Sequence, residues 1–316
     1  MSEHRSGAQR VILDCDPGHD DALAMLLALC RPELDLLAVT TVAGNSTLEN
    51  TTRNALSVLT LVGRTDVPVA SGAAAPLRRE LITAPNVHGG NGLAGADLPS
   101  PVVGLASDDA PAFIAQMIRA SNTPVTLIPT GPLTNIAHLL ARFPDEFARV
   151  NRICLMGGAV AEGNVTASAE FNIWVDPEAA HDVFAAGVPI TMIGLDVTHK
   201  AVVSLDDADR MERVGNRTGV VFADLLRFFA RFHIERYGWN GAPIHDAVAV
   251  ADVALPDLVE KRPYRVDVET VSELTRGRTV IDFYGLTGRP ANADVGIDID
   301  RPRFVEILLD AVAQFP

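Results

Sequence analysis

One stretch near the start of the chain decides the fold. It reads Val11-Ile12-Leu13-Asp14-Cys15-Asp16-Pro17-Gly18-His19-Asp20-Asp21 and is followed by an apolar run over residues 22–29. The apolar residues 11–13 predict a buried strand, the Pro-Gly pair predicts a turn, and the second apolar run predicts a helix. Four carboxylates therefore lie where the first strand ends and the first helix begins.

The same alternation of strand and helix continues through the first two thirds of the chain. Uniformly apolar strands are typical of a parallel sheet covered on both faces. The predicted strands are residues 11–13, 36–42, 125–128, 153–156 and 190–193, and the predicted helices are residues 20–30, 48–62, 110–120, 133–142 and 176–186. We expect an α/β fold with a doubly wound, mostly parallel sheet, which binds ligands beyond the carboxyl ends of its strands.

The last third of the chain predicts a helical and hairpin elaboration of that sheet. We expect, in order, one long helix over 206–232, a turn at 240–243, a helix over 245–255, a hairpin of 264–271 with 279–284, a strand over 294–299 and a helix over 302–315. No linker or change of composition separates these segments, so a single α/β domain over residues 1–316 is expected.

Composition limits the partners and the compartment. The 26 Lys and Arg residues are outnumbered by 40 Asp and Glu residues, and the net charge of −14 argues against nucleic-acid binding. The three cysteines have no metal-ligand or disulfide spacing, and no apolar run is long enough to span a membrane. Because residues 1–10 also lack the pattern of a secretory signal, we expect a cytoplasmic protein without a membrane partner.

The four carboxylates of the first strand–helix junction indicate a metal site. Like charges crowded between apolar elements raise one another's pKa unless a cation compensates them. The start of the helix stabilises a nearby negative charge by only about 0.3–1 kcal/mol, which is too little for four. Ligation by oxygen alone suits Ca²⁺ or Mg²⁺ better than zinc.

Further polar residues follow the other predicted strands, so they should meet the acidic cluster at one edge of the sheet. They are Thr40-Thr41-Val42-Ala43-Gly44-Asn45, Pro129-Thr130-Gly131-Pro132-Leu133-Thr134-Asn135, Met156-Gly157-Gly158, Pro243-Ile244-His245-Asp246-Ala247, Asn164, Glu170, Phe171, Asn172 and Asp176. Between them lies a Gly- and Pro-rich loop over 73–104, of the length found in lids over binding sites.

Together these motifs resemble the nucleoside hydrolases of the inosine-uridine preferring type. Residues 14–21 are similar to the DxDxxxDD signature of that family. The resemblance continues in order through residues 42–45, 129–135, 156–158 and 170–179 and the pair His245-Asp246, so it covers most of the chain.

The resemblance implies Ca²⁺-dependent hydrolysis of the N-glycosidic bond of ribonucleosides, which gives ribose and a free base. Family members bind the ion through residues that match Asp16, Asp21, Asp246 and the main-chain carbonyl of Thr130. Asp16 would also take a proton from a metal-bound water. His245 is the candidate acid for the leaving base, because its neighbour Asp246 faces the metal.

The resemblance also implies a substrate site built from carboxylates and amides. The positions that match contacts to the 2′- and 3′-hydroxyls are Asp20, Asn45, Asn172 and Asp246, and those at the 5′-hydroxyl are Asn164 and Glu170. The other candidates for substrate contact are His88, Met156 and Phe171. Family members assemble as dimers or tetramers, so a homo-oligomer is expected. The His-Asp pair favours a broad or pyrimidine-leaning preference without deciding it, and His19 receives no role.

Two other functions remain open from the residues alone. An apolar strand ending in DxD also opens the haloacid-dehalogenase phosphatases, although Gly18 lacks the hydroxyl or branched side chain typical of that pattern. A non-catalytic nucleoside-binding protein could keep the metal and diol ligands without turnover. Phosphatase and ribose-release assays separate these alternatives from a hydrolase.

Overall fold

The computed structural model describes residues 7–316. The expectation that residues 1–10 are not a secretory signal falls mostly on residues 1–6, which lie outside the described residues. The strands are β1 (Gln9–Cys15), β2 (Leu34–Thr41), β3 (Val69–Ser71), β4 (Val125–Pro129), β5 (Val150–Met156), β6 (Ile190–Ile193), β7 (Val202–Ser204), β8 (Gly241–Pro243), β9 (Val259–Val268), β10 (Thr279–Asp282) and β11 (Ala293–Ile299).

Helices connect these strands. They are α1 (His19–Cys30), α2 (Leu48–Leu61), α3 (Pro85–His88), α4 (Ala110–Ala120), α5 (Thr134–Arg142), α6 (Pro144–Phe147), α7 (Phe171–Val175), α8 (Pro177–Ala185), α9 (Leu195–Thr198), α10 (Leu205–Arg213), α11 (Arg217–Tyr237), α12 (His245–Ala254) and α13 (Arg301–Ala313).

Nine strands form one sheet in the order β10-β9-β11-β6-β5-β4-β1-β2-β3. The seven strands from β11 to β3 run parallel to their neighbours, and β9 and β10 add an antiparallel edge. The predicted α/β class with a doubly wound, mostly parallel sheet is therefore confirmed.

The central strand β1 sets the position of the site. It pairs in parallel with β2 on one side and with β4 on the other. The chain thus moves outward from β1 to β3 and then returns to the opposite side of β1. Such a reversal leaves a crevice at the carboxyl ends of the two strands, because their connections leave in opposite directions.

Helices cover both faces of the sheet. One apolar core contains buried residues of α1, α2, α11, α12 and α13, and the other contains buried residues of α4, α5 and α8. Leu26, Phe222 and Phe304 are fully buried in the first core, and Ile114 and Ile136 are fully buried in the second. Both faces of the parallel strands are therefore removed from water, which explains why these strands have no polar alternation.

Two expectations for the last third of the chain are wrong. The long helix over 206–232 is divided into α10 and α11, because Gly215 takes a φ of +83° and Asn216 caps the second helix by accepting a hydrogen bond from Gly219 N at 2.7 Å. The turn at 240–243 is instead mostly strand β8, which pairs with β7 in a small antiparallel sheet. The hairpin is confirmed as β9 and β10.

No helix within residues 7–316 is both long enough and apolar enough to cross a membrane.

Asp176 has a structural explanation. Its buried carboxylate caps α8 by accepting from Ala179 N at 3.0 Å, and it also accepts from Thr134 Oγ1 at 2.7 Å and Leu77 N at 2.8 Å. It thereby ties α5, α8 and the 73–104 loop together, which accounts for this residue without a place in the cavity described below.

We predict that Asp176→Ala lowers the free energy of unfolding by about 2–4 kcal/mol, since three donors lose their acceptor in a buried position. Urea denaturation measures the change. Asp182→Ala on the exposed surface of the same helix is the control and should change stability by less than about 0.5 kcal/mol. Equal effects of the two substitutions would contradict the capping role.

Candidate active site

Acidic side chains are concentrated at the carboxyl end of β1 and at the first turns of α1 and α12. Asp14, Asp16, Asp20, Asp21 and Asp246 are all at most 4% exposed. Carboxylate oxygens of Asp20, Asp21 and Asp246 lie within 4.8 Å of one another. The strand end and two helix starts therefore bring together charges that are far apart in the sequence.

Burial changes the acidity of these groups. Desolvation raises the pKa of Asp14 to about 6 and, with the nearby Asp21 charge, the pKa of Asp20 to about 7. Desolvation and then the neighbouring carboxylates raise the pKa of Asp16 and Asp246 well above the usual range. A positive charge nearby would favour the ionised form of every carboxylate in such a cluster.

The Asp16 carboxylate has one bonded oxygen and one bare oxygen. Its Oδ2 accepts from the main-chain N–H of Asn45 at 2.6 Å. Its Oδ1 is buried and has no hydrogen-bond partner among residues 7–316. A Cβ at Gly44 would overlap Oδ2, and one at Gly131 would lie 2.7 Å from Oδ1. Two glycines thus leave the space that this carboxylate occupies.

Asp21 is held between the first turn of α1 and the end of β4. Its Oδ1 accepts from Thr130 Oγ1 at 2.8 Å, and its Oδ2 accepts from Gly18 N at 2.9 Å. The main-chain oxygen of Thr130 accepts from Asn172 Nδ2 at 2.7 Å and keeps a second lone pair. The hydroxyl and the carbonyl of Thr130 therefore both belong to this site.

The donor set fits a hard divalent cation. It consists of carboxylate oxygens and a peptide carbonyl, and the three-carboxylate group contains no imidazole or thiolate. The bare Oδ1 of Asp16 is the kind of buried acceptor that an ion would satisfy. The group of three carboxylates includes Asp20, which the resemblance assigns to substrate hydroxyls. Asp16, which the resemblance assigns to the metal, is not one of these three.

Asp14 is held in the acidic cluster by hydrogen bonds from two neighbouring elements. Its Oδ1 accepts from Thr40 Oγ1 at 2.5 Å and from Asn135 Nδ2 at 2.8 Å, so hydrogen bonds from β2 and α5 hold it at the end of β1. It does not line the cavity beside the cluster.

A cavity of about 330 Å³ opens beside the acidic cluster. The predicted residues that line it are Asp20, Asn45, His88, Thr130, Met156, Asn164, Glu170, Phe171, Asn172, His245 and Asp246. Asp16 and Asp21 do not line it and are 0% exposed. Among the described residues that line the cavity there is no Lys or Arg.

The segment after β5 supplies one group of lining residues. Glu170 caps the short helix α7 by accepting from Asn172 N at 2.8 Å and Ile173 N at 3.1 Å, and it accepts from Gly158 N at 2.9 Å. Burial raises the pKa of Glu170 to about 7 despite these bonds. Asn164 Oδ1 accepts from Phe171 N at 3.0 Å. Both side chains thus reach the cavity from a segment fixed by main-chain contacts.

His245 is the first residue of α12 and is 9% exposed. Its Nδ1 lies 2.7 Å from Thr198 Oγ1, and its ring meets the ring of His199 edge-on at 5.7 Å. Burial, followed by the nearby His199, lowers the pKa of His245 well below its usual range. A neutral ring can still carry a proton on Nε2 if Nδ1 accepts the Thr198 hydroxyl.

His233 and Tyr237, which the sequence places just before His245 as candidate parts of a lid over the base, line the cavity. The structure also adds lining residues to which the sequence analysis gave no role: Ile82, Thr83, Ala84, Asn86, Val87, Val165, His199, Phe229 and Phe232. His199 follows β6 and the short α9, so the rule that polar residues after strands meet at one edge could have found it. The aromatic residues come from α11, whose apolar periodicity gives no sign that part of it faces a cavity.

Comparison with known proteins identifies the family. The family model for inosine-uridine preferring nucleoside hydrolases matches residues 11–306. The pyrimidine-specific ribonucleoside hydrolase RihA of Shewanella sp. (strain ANA-3) is 52% identical over 306 residues, which cover 96% of each chain. A protein of the same name from Escherichia coli O1:K1 / APEC is 50% identical over 301 residues, which cover 95% of this chain and 97% of the relative.

Solved structures agree with this result. A purine-preferring ribonucleoside hydrolase from Gardnerella vaginalis superimposes with a TM-score of 0.91 at 32% identity and covers 97% of this chain and 98% of its own. These matches leave no support for the phosphatase and the non-catalytic binding protein. The chain belongs to the inosine-uridine preferring nucleoside hydrolase family and is a ribonucleoside hydrolase.

Proposed function

We propose that this enzyme hydrolyses the N-glycosidic bond of pyrimidine ribonucleosides with Ca²⁺ as its cofactor. The observation that carries the proposal is the group of Asp20, Asp21 and Asp246 oxygens beside a cavity without cationic side chains. A neutral sugar with a vicinal diol suits such a site, whereas an anionic ligand would be repelled by it.

Ca²⁺ would be held by Asp16, Asp21, Asp246 and the Thr130 carbonyl, all of which offer oxygen ligands. When bound, the ion supplies Lewis acidity that lowers the pKa of a coordinated water. The raised pKa of Asp246 and the bare Oδ1 of Asp16 support this assignment, since a bound cation would stabilise the ionised form of the one and give a partner to the other.

Asp16 takes the proton from the attacking water. The hydrogen bond from Asn45 N fixes Oδ2, and the absence of a side chain at Gly44 and Gly131 leaves room for the carboxylate in this position. Oδ1 is then the oxygen that remains available as a base. A fixed and desolvated carboxylate suits this role, because burial raises its pKa above the usual range and makes it a stronger base.

The ribose is held by its hydroxyls. Asp20, Asn45, Asn172 and Asp246 are the proposed contacts to the 2′- and 3′-hydroxyls, and Asn164 and Glu170 are the proposed contacts to the 5′-hydroxyl. As the glycosidic bond breaks, positive charge develops on the sugar ring, and the surrounding carboxylates stabilise it. A phosphate at the 5′ position would instead face Glu170.

His245 is the proposed acid for the leaving base: its Nε2–H bonds to the base, and a ring protonated on both nitrogens would pass that proton to the base and return to neutral imidazole. It lines the cavity next to Asp246, and the Thr198 hydroxyl bonds to its Nδ1, so Nε2 is the nitrogen left for the base. Phe171 and Met156 line the same cavity and complete the proposed substrate contacts.

The preference for pyrimidines rests on the relatives. The chains at 50–52% identity are named pyrimidine-specific, while the structure named purine-preferring is only 32% identical. Phe229, Phe232 and Tyr237 give the cavity flat apolar surfaces on which a base can stack.

We also infer the setting in which the enzyme works. A cytoplasmic homo-oligomer, a dimer or tetramer of one domain per chain, agrees with the resemblance. Val271, Leu274, Tyr284 and Leu286 are 83–87% exposed, and they offer an apolar surface that a second copy could cover. The 73–104 loop, which brings residues 82–88 to the cavity, would act as the lid.

A panel of substrates tests the proposed reaction. We expect release of base from uridine and cytidine faster than from inosine. With 2′-deoxyuridine we expect a rate at least about 10²-fold lower than with uridine, because the diol contacts stay unpaired. Uridine 5′-monophosphate should also be a poor substrate. EGTA should abolish activity, and added Ca²⁺ should restore it. Full activity after chelation, or equal rates with the monophosphate, would refute the proposal.

The position of Asp16 can be tested through its neighbour. Gly44→Ala should lower kcat/KM for uridine about 10²-fold, because the added Cβ displaces the Asp16 carboxylate. Gly90→Ala is the control, since no atom lies within 4 Å of its added Cβ. Wild-type kinetics in Gly44→Ala would show that this placement of Asp16 does not matter.

The role of His245 can be separated from a structural one by two substrates. His245→Ala should slow hydrolysis of uridine about 10²- to 10⁴-fold. The same variant should lose far less activity with a nitrophenyl riboside, whose leaving group needs no proton. Steady-state rates on both substrates measure the difference, and equal losses would exclude the acid role.

A further inference from the structure

His19 has no part in the proposed reaction, although it lies between Gly18 and the acidic pair of α1. It is buried, at 2% exposure, and its ring stacks nearly parallel to Phe229 at 5.2 Å and to Phe228 at 5.4 Å. Its nitrogens bond elsewhere: Nε2 lies 2.7 Å from the main-chain oxygen of Ala94, and Nδ1 lies 3.1 Å from Nδ1 of His88.

These two contacts decide where the protons are. A carbonyl oxygen can only accept, so Nε2 of His19 must carry a proton and donate it to Ala94. The ring is packed against aromatic side chains, and no carboxylate within residues 7–316 is hydrogen-bonded to it, so the neutral form is favoured. Nδ1 of His19 is then an acceptor.

The tautomer of His88 follows from that of His19. With an acceptor at 3.1 Å, Nδ1 of His88 must carry a proton and donate it. A neutral His88 then has a lone pair on Nε2, which has no hydrogen-bond partner within the described chain. His88 lines the cavity, so this nitrogen is the one available to a substrate.

His19 also holds both ends of a glycine-rich segment, residues 89–93, within the 73–104 loop. His88 precedes this segment and Ala94 follows it, and Ala94 N donates to the His88 carbonyl at 3.1 Å. The ring of His88 stacks on His19 and on Phe229, each at 5.3 Å. One side chain from α1 therefore sets the position of the loop as well as the proton on the ring that it carries.

We propose that His19 is a positioning residue that fixes His88 as a pure hydrogen-bond acceptor toward the substrate. His88 consequently binds an O–H or N–H donor of the ribonucleoside and does not protonate the leaving base. The 2′- and 3′-hydroxyls are assigned to other side chains, so the candidate donors are the N3–H of uridine and the 5′-hydroxyl, which His88 would share with Asn164 and Glu170. The identity of this substrate rests on the proposed function, but the tautomer does not.

The tautomer can be measured without any activity. Long-range ¹H–¹⁵N spectra of the full-length enzyme with ¹⁵N-labelled histidine, recorded with Ca²⁺ at pH 8, report which nitrogen of each ring carries the proton. His88→Gln assigns the signals. We expect a protonated Nδ1 and a bare Nε2 in His88 of the wild-type enzyme. The reverse pattern overturns the proposal, even if the enzyme proves to act on another substrate.

Two substitutions of His19 separate positioning from packing. His19→Asn keeps an acceptor near the Nδ1 position and loses the bond to Ala94, whereas His19→Gln keeps a donor near Nε2 and loses the acceptor for His88. Each variant thus loses one of two hydrogen bonds. We expect His19→Gln to raise KM for uridine about tenfold with a smaller change in kcat, as expected for one lost substrate bond. His19→Asn should stay close to the wild-type KM.

The substrate group that meets His88 is found by removing its donors one at a time. The KM ratio between His19→Gln and the wild type should fall to about one with either 5′-deoxyuridine or 3-methyluridine, because that analogue no longer has a bond to lose. Similar KM values for the Asn and Gln variants, or a ratio unchanged with both analogues, would reduce His19 to a packing residue. Melting temperatures of both variants show whether each is folded.

Discussion

Asp16, Asp21 and Asp246 are buried together at the end of the central strand, and the cost of burying these carboxylates is the constraint on which the rest of the site depends. Desolvation is the largest cause of their raised pKa values, and neighbouring carboxylates raise the pKa of Asp16 and Asp246 further. Hydrogen bonds from Gly18, Asn45 and Thr130 offset part of the cost but leave one oxygen of Asp16 without a partner. The proposed divalent cation would offset the remaining penalty, so that folding of the strand ends and cation binding would favour the same arrangement.

The sequence predicts this edge of the sheet well because parallel strands obey a simple rule. Their carboxyl ends meet at one edge, so polar residues after β1, β2, β4 and β5 had to converge if the strands were right. Asn45, Thr130 and Asn172 all line the cavity for that reason. The same rule also places His199, which follows β6 and α9, at this edge of the sheet. The rule therefore holds for β6 as well.

Other features depend on contacts that no local pattern contains. The break between α10 and α11 rests on a single Gly-Asn pair inside an otherwise continuous apolar periodicity, and the pairing of β7 with β8 joins residues almost forty positions apart. The sequence likewise gives no sign that glycine is required at the two positions beside Asp16. Gly44 and Gly131 look like ordinary turn residues, and only the approach of a carboxylate shows why a side chain is excluded there.

The histidines of the cavity show how protein contacts can give identical side chains opposite hydrogen-bonding properties. Nδ1 of His245 meets a hydroxyl, which can donate or accept, so the ring can keep a proton on Nε2. Nδ1 of His88 meets an imidazole whose other nitrogen is committed to a carbonyl, so the ring must keep its proton on Nδ1. Burial lowers the pKa of both rings, which favours their neutral forms. The partner of the inner nitrogen therefore decides which of the two neutral rings presents an N–H toward the cavity and which presents a lone pair.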